Sequence, residues 1–140
     1  MSMTLKIAER WFDTKRLDNG VTWLWEPHVI PLMRCNVWHV RGRDRDLLID
    51  TGLGVASLHD ATRHLIDKPV KAIATHTHGD HVGGHHEFDH TLVHALEAEE
   101  LRSPRDRGTL LASVLGAEEI GKLAAAGYPI AGDLITALPH

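Results

Sequence analysis

A single cysteine, Cys35, excludes an intramolecular disulfide, so no covalent cross-link staples this 140-residue chain. Cys35 falls in an apolar run with Val37 and Trp38 and has no obvious base beside it, so it reads as a buried structural thiol. Tyrosine occurs once and phenylalanine twice, which leaves Trp11, Trp23, Trp25 and Trp38 as the main aromatic mass, expected in the core or on a sheet face. Long hydrophobic runs are also missing. No stretch approaches the roughly 20 residues of a membrane span, and residues 1–6 hold no apolar segment of the kind a signal peptide needs. A cytoplasmic protein is the expectation. Acidic and basic residues are interspersed around a net charge of −4, so no basic stripe argues for nucleic acid. The most basic spot, residues 41–45, reads as a solvated hairpin turn. Linkers, repeats and low-complexity blocks are absent, and 43% hydrophobic content suffices for one core. Residues 1–140 are therefore read as one domain or part of one. No Ser-His or Cys-His arrangement supplies a side-chain nucleophile.

What the chain does have is histidine, 12 in all, and three of them stand in Thr75-His76-Thr77-His78-Gly79-Asp80-His81-Val82-Gly83-Gly84. Imidazole and carboxylate are ligands of choice for first-row metals. With 12 His and 11 Asp, a random His-x-His-x-Asp-His somewhere in the chain has a likelihood of roughly one in a hundred. The preceding residues 70–75 are short, β-branched and bounded by Pro69, which predicts a buried parallel strand whose carboxyl end carries the cluster. That is where open α/β sheets place ligand crevices. If the extended backbone runs on past Thr75, His76 and His78 point the same way and share one metal. Asp80 and His81 follow a turn at Gly79 and face a second metal.

This motif resembles the signature of the metallo-β-lactamase-fold hydrolases, a superfamily that includes glyoxalase II-like thioesterases, lactonases and phosphodiesterases. Residues 45–54, a strand ending in Asp50-Thr51-Gly52, resemble the family's second landmark, with a helix expected over residues 56–66. The resemblance covers most of residues 10–100. It implies an α/β fold, the αββα sandwich, here apparently truncated to its N-terminal half, so that 1–140 is a partial domain of that type. It implies that His76 and His78 bind one metal, that Asp80 and His81 bind another, and that Asp50 supports the site from a neighbouring strand without coordinating. Asp80 is the expected catalytic residue, as ligand and as the acceptor that orients the nucleophile. The expected cofactor is Zn2+, one or two ions, with Fe or Mn as alternatives. The expected reaction is attack of a metal-activated hydroxide on an ester, thioester, lactone or phosphoester. Members with Glu at the third motif position are associated with di-iron redox chemistry; His78 stands there in this chain and favours the hydrolytic branch.

The family takes a further His, a bridging Asp and a last His from later segments, in chains of about 200 residues or more. None of the acids and histidines after His81 sits in a strand-to-loop context of that kind. The alternative reading is accordingly a truncated, non-catalytic metal-binding fragment, with weakly held metal and little turnover. His85, His86, His90 and His94 read as surface or supporting residues, and His28, His39, His59 and His64 receive no role. Strands are predicted over residues 11–16, 21–25, 35–40, 47–50 and 70–75, with Asn19-Gly20 as a hairpin turn. Residues 95–101, 110–115 and 118–126 have a helical pattern, and 128–140 is loop-like. Expected partners are a small-molecule substrate and, across an uncovered sheet face, a second copy of the chain.

Overall fold

The computed structural model describes residues 8–103 and residue 125. The expected helix over 110–115, that over 118–126 apart from residue 125, the loop over 128–140 and the amino-terminal residues 1–6 lie outside the described residues.

Among the described residues six strands form one mixed sheet in the order β1-β2-β3-β4-β5-β6: β1 Asp13–Arg16, β2 Val21–Trp25, β3 Val37–Val40, β4 Asp46–Ile49, β5 Val70–Ile73 and β6 Thr91–Leu92. The first four are joined by antiparallel connections, and β4, β5 and β6 run parallel. Asn19 and Gly20, with φ of 60° and 75°, make the turn between β1 and β2. Two consecutive positive φ values match the right-handed twist of a hairpin.

Strict alternation sorts the two faces. Thr22, Leu24, Glu26, Val37, His39, Asp46, Leu48, Asp50, Ala72 and Ala74 are buried, whereas their neighbours along each strand are half-buried. On the buried face Phe12, Leu24, Cys35, Val37, Leu48, Leu58, Ala72 and Phe88 form the core, with Ala61, Leu65 and Ile66 packed against it. Helix α1, Leu58–Thr62, covers this face and is capped by Ser57, whose hydroxyl accepts the Asp60 N–H at 3.1 Å. It is shorter than the helix expected over 56–66, whose last residues form turn-like bonds back to Thr62. The opposite face carries Trp23 stacked on Trp38 and tilted against Trp25, so these tryptophans are sheet-face aromatics. Among the described residues no helix is long and apolar enough to cross a membrane.

Two expectations about the motif need correction. Extended backbone does not run past Thr75: β5 ends at Ile73 and Thr75-His76 form a bend. Gly79 is not a turn but the first residue of α2, Gly79–Val82, with His78 as its N-cap. Thr75 gives its N–H and its hydroxyl to Asp50, and that pull draws the chain away from the sheet.

Candidate metal centre

The carboxyl ends of β4 and β5 bring the Asp50 and histidine segments together. Asp50 has φ of 62°, a left-handed conformation that costs a non-glycine residue about 1–2 kcal/mol and that Asp tolerates better than most. Its surroundings hold it there. The Asp50 N–H donates to Ile73 O at 2.8 Å, while its carboxylate accepts from Thr75 N, Thr75 Oγ1 and His81 Nδ1, each at 2.7 Å. Such strain is found at sites where the surrounding structure over-determines the backbone.

These bonds fix the imidazole tautomers. Because His81 donates from Nδ1 to Asp50, the neutral imidazole carries its lone pair on Nε2. The single Thr75 hydroxyl proton goes to Asp50, so Thr75 Oγ1 must accept from His76 Nδ1 at 3.0 Å. His76 therefore also presents Nε2 as an acceptor. The His76 ring centroid lies 4.0 Å from that of His81 and 4.7 Å from that of His78. Asp80 Oδ2 lies 3.3 Å from His81 Nε2. His76, Asp80 and His81 are half-buried and His78 is exposed. Two acceptors 3.3 Å apart repel unless a proton or a cation stands between them, so the His81–Asp80 contact suits either a shared proton or a divalent metal.

A second grouping lies behind His81. Cys35 Sγ, an Asp50 oxygen and a His81 ring nitrogen lie within 4.8 Å of one another. Its chemistry is that of a support. The nitrogen concerned is engaged by Asp50, and Cys35 Sγ is 3.5 Å from it. Burial, then the Asp50 charge, pushes the Cys35 thiol up to about 12, which keeps it protonated. Cys35 is thus the buried thiol expected from the sequence.

The turn after β4 is stitched to the motif. Thr51 N–H donates to His81 O at 2.8 Å, Gly83 N–H to Gly52 O at 2.9 Å, and Gly84 N–H to Thr51 Oγ1 at 3.1 Å. His85 is buried and its Nδ1 pairs with Thr51 Oγ1 at 2.7 Å. Burial lowers the His85 pKa, with the Asp50 charge pulling the other way. Glu26, to which the sequence assigned no role, is fully buried beneath this turn, and His39 forms a buried pair with Asp46 at 2.8 Å at the far end of the sheet. His86 and His90 are exposed, and His94 accepts the Leu96 N–H.

Residues 30–136 match the Metallo-beta-lactamase superfamily, and the chain belongs to that family. Its described portion is the α/β layer of a metallo-β-lactamase fold, and this match bears out the resemblance carried by the motif. Over 106 residues the chain is 39% identical to the acyl-coenzyme A thioesterase MBLAC2 of Homo sapiens, and over 103 residues it is 42% identical to that of Gallus gallus. The alignments cover 67% of this chain but 38% and 37% of those relatives, so the chain spans well under half of their length. Among solved structures, a metallo beta lactamase from Hirschia baltica superposes with a TM-score of 0.53 at 25% identity, over 64% of this chain and 46% of that one. One from Erythrobacter litoralis gives a TM-score of 0.52 at 25% identity, over 69% and 47%.

Proposed function

We propose that His76, His78, Asp80 and His81 hold one or two divalent metal ions, zinc foremost, and that the centre serves hydrolysis of an acyl thioester. The observation that carries this reading is the Asp50 network, which turns His81 Nε2 toward the Asp80 carboxylate, with the His76 ring 4.0 Å from that of His81. Partners of this kind orient metal-binding imidazoles and raise their basicity.

What a divalent ion supplies in such a site is water acidified toward neutral pH and a Lewis acid for the carbonyl oxygen. The chain's own groups do the rest. Asp80 accepts a hydrogen bond from the attacking water and aims it at the thioester carbon. Asp50, accepting a hydrogen bond from His81 Nδ1–H, fixes the ring orientation that turns Nε2 outward. No side-chain nucleophile takes part, since Cys35 is buried and protonated. The thioester follows from the MBLAC2 relatives; ester, lactone and phosphoester are the competing substrates of the same chemistry. A soluble small-molecule substrate in the cytoplasm is part of this reading.

The test is a panel of acyl-coenzyme A thioesters, lactones and phosphodiesters assayed with added zinc, manganese or iron(II). The expected result is thioester turnover above that of the free metal, slow because two ligands per ion are fewer than the three a catalytic zinc generally has, and lost in Asp80→Ala. Turnover unaffected by Asp80→Ala, or confined to phosphodiesters, contradicts the proposal.

A further inference from the structure

Glu26 ends up with no solvent exposure at the carboxyl end of β2, an expensive place for a carboxylate. Both of its oxygens are used. Oε2 accepts the Trp11 indole N–H at 2.7 Å, and Oε1 accepts the Leu53 N–H at 3.0 Å. Gly52, at φ 74°, passes so close that a Cβ there would collide with Oε1. The same turn reaches the motif on its other side, through Gly52 O to Gly83 N and through Thr51 to His81 O. Glu26 therefore holds residues 52–53 on one side of the turn while Thr51 and Gly52 bond His81, Gly83 and Gly84 on the other.

A neutral group does not fit the clamp equally well. Two N–H donors face the two oxygens, so a glutamine must turn its own NH2 against one of them. Burial pushes the Glu26 pKa up, the Trp11 and Leu53 bonds pull it down, and the nearby Asp80 charge adds to the rise.

We infer that Glu26 is a positioning residue for the metal centre, locking the Gly52–Leu53 turn against the His81–Gly84 segment. The inference rests on the metal-binding reading above. It is tested with Glu26→Gln and Trp11→Phe in the 140-residue chain, read by cobalt(II) titration and by amide hydrogen exchange of the metal-free protein. Glu26→Gln is expected to retain the far-ultraviolet dichroism and, at saturation, the visible cobalt spectrum of the unsubstituted protein, since no ligand changes. Its affinity for cobalt should fall about tenfold, and exchange at Leu53 and Gly83 should accelerate. Trp11→Phe keeps the Glu26 carboxyl group and the Leu53 bond, so a smaller loss of affinity is expected; it also serves if Glu26→Gln does not fold. Unchanged affinity and exchange in the folded variants, beside a cobalt-binding parent, overturn this inference alone. A parent that takes up no cobalt overturns the metal centre and this inference with it.

Discussion

Replacing Asp50 by alanine removes the acceptor on which three hydrogen bonds converge, from Thr75 N, Thr75 Oγ1 and His81 Nδ1. Asp50 is 3% exposed, so water does not easily take the carboxylate's place. The Thr75 hydroxyl can turn to another partner, which leaves the Thr75 N–H and the His81 Nδ1–H orphaned. Each orphan costs about 1–3 kcal/mol, with Thr75 at the low end because its residue is exposed. Alanine at a left-handed φ adds about 1 kcal/mol. The expected loss is about 3–5 kcal/mol, a large share of a typical domain's 5–15 kcal/mol. Asp50→Asn keeps one acceptor oxygen and tolerates the left-handed backbone, so about half that loss is expected. Urea unfolding of the metal-free protein, followed by dichroism, gives the stability, and zinc titration should show a loss of affinity of roughly 10–100-fold for both variants. An Asp50→Ala protein within about 0.5 kcal/mol of the parent, at the level of an ordinary surface substitution, refutes the reasoning.

Cys35, with its thiol pushed up to about 12, should react with a disulfide reagent at pH 8 about a thousandfold more slowly than a free thiol, and at the free rate once unfolded in denaturant. Fast labelling of the native protein contradicts its burial. His85 has a folded pKa below its ordinary 6.5, so it takes up a proton on unfolding and its neutral form stabilises the fold above pH 6.5. Stability should fall as the pH drops below 6.5, and His85→Gln should flatten that decline; equal slopes in both proteins contradict it. Gly52→Ala should destabilise by about 2 kcal/mol or more in the same urea experiment, because its Cβ meets Glu26. A midpoint equal to that of the parent shows that the turn can relax.

The strands were legible from their short β-branched and aromatic runs, but not their faces: burial alternates along β2, β3 and β4 with polar Thr22, His39 and Asp46 on the buried side, which the apolar pattern does not show. Asn19-Gly20 announced its turn, and the motif's residues announced the family. The local path of the motif was harder to read. Thr75 is pulled off the strand by Asp50, 25 residues earlier, and no local propensity encodes that bond. Glu26 before Pro27 looks like a solvated loop residue, and its partners Trp11 and Leu53 lie 15 and 27 positions away. Thr51 and His85, 34 apart, meet only because the Gly83-Gly84 segment packs on the turn after β4. Pairs of this kind are products of packing, and single-sequence periodicity carries no trace of them.

X-ray absorption at the zinc edge of the zinc-loaded protein tests most directly whether His76, His78, Asp80 and His81 hold the metal while Cys35 and Asp50 stand behind it. The expected spectrum fits a shell of nitrogen and oxygen at about 2.0–2.2 Å with imidazole multiple scattering, weakened in His76→Ala and His78→Ala and unchanged in Cys35→Ser. A sulfur scatterer at about 2.3 Å, lost in Cys35→Ser, would place the ion in the Cys35–Asp50–His81 group and contradict the account.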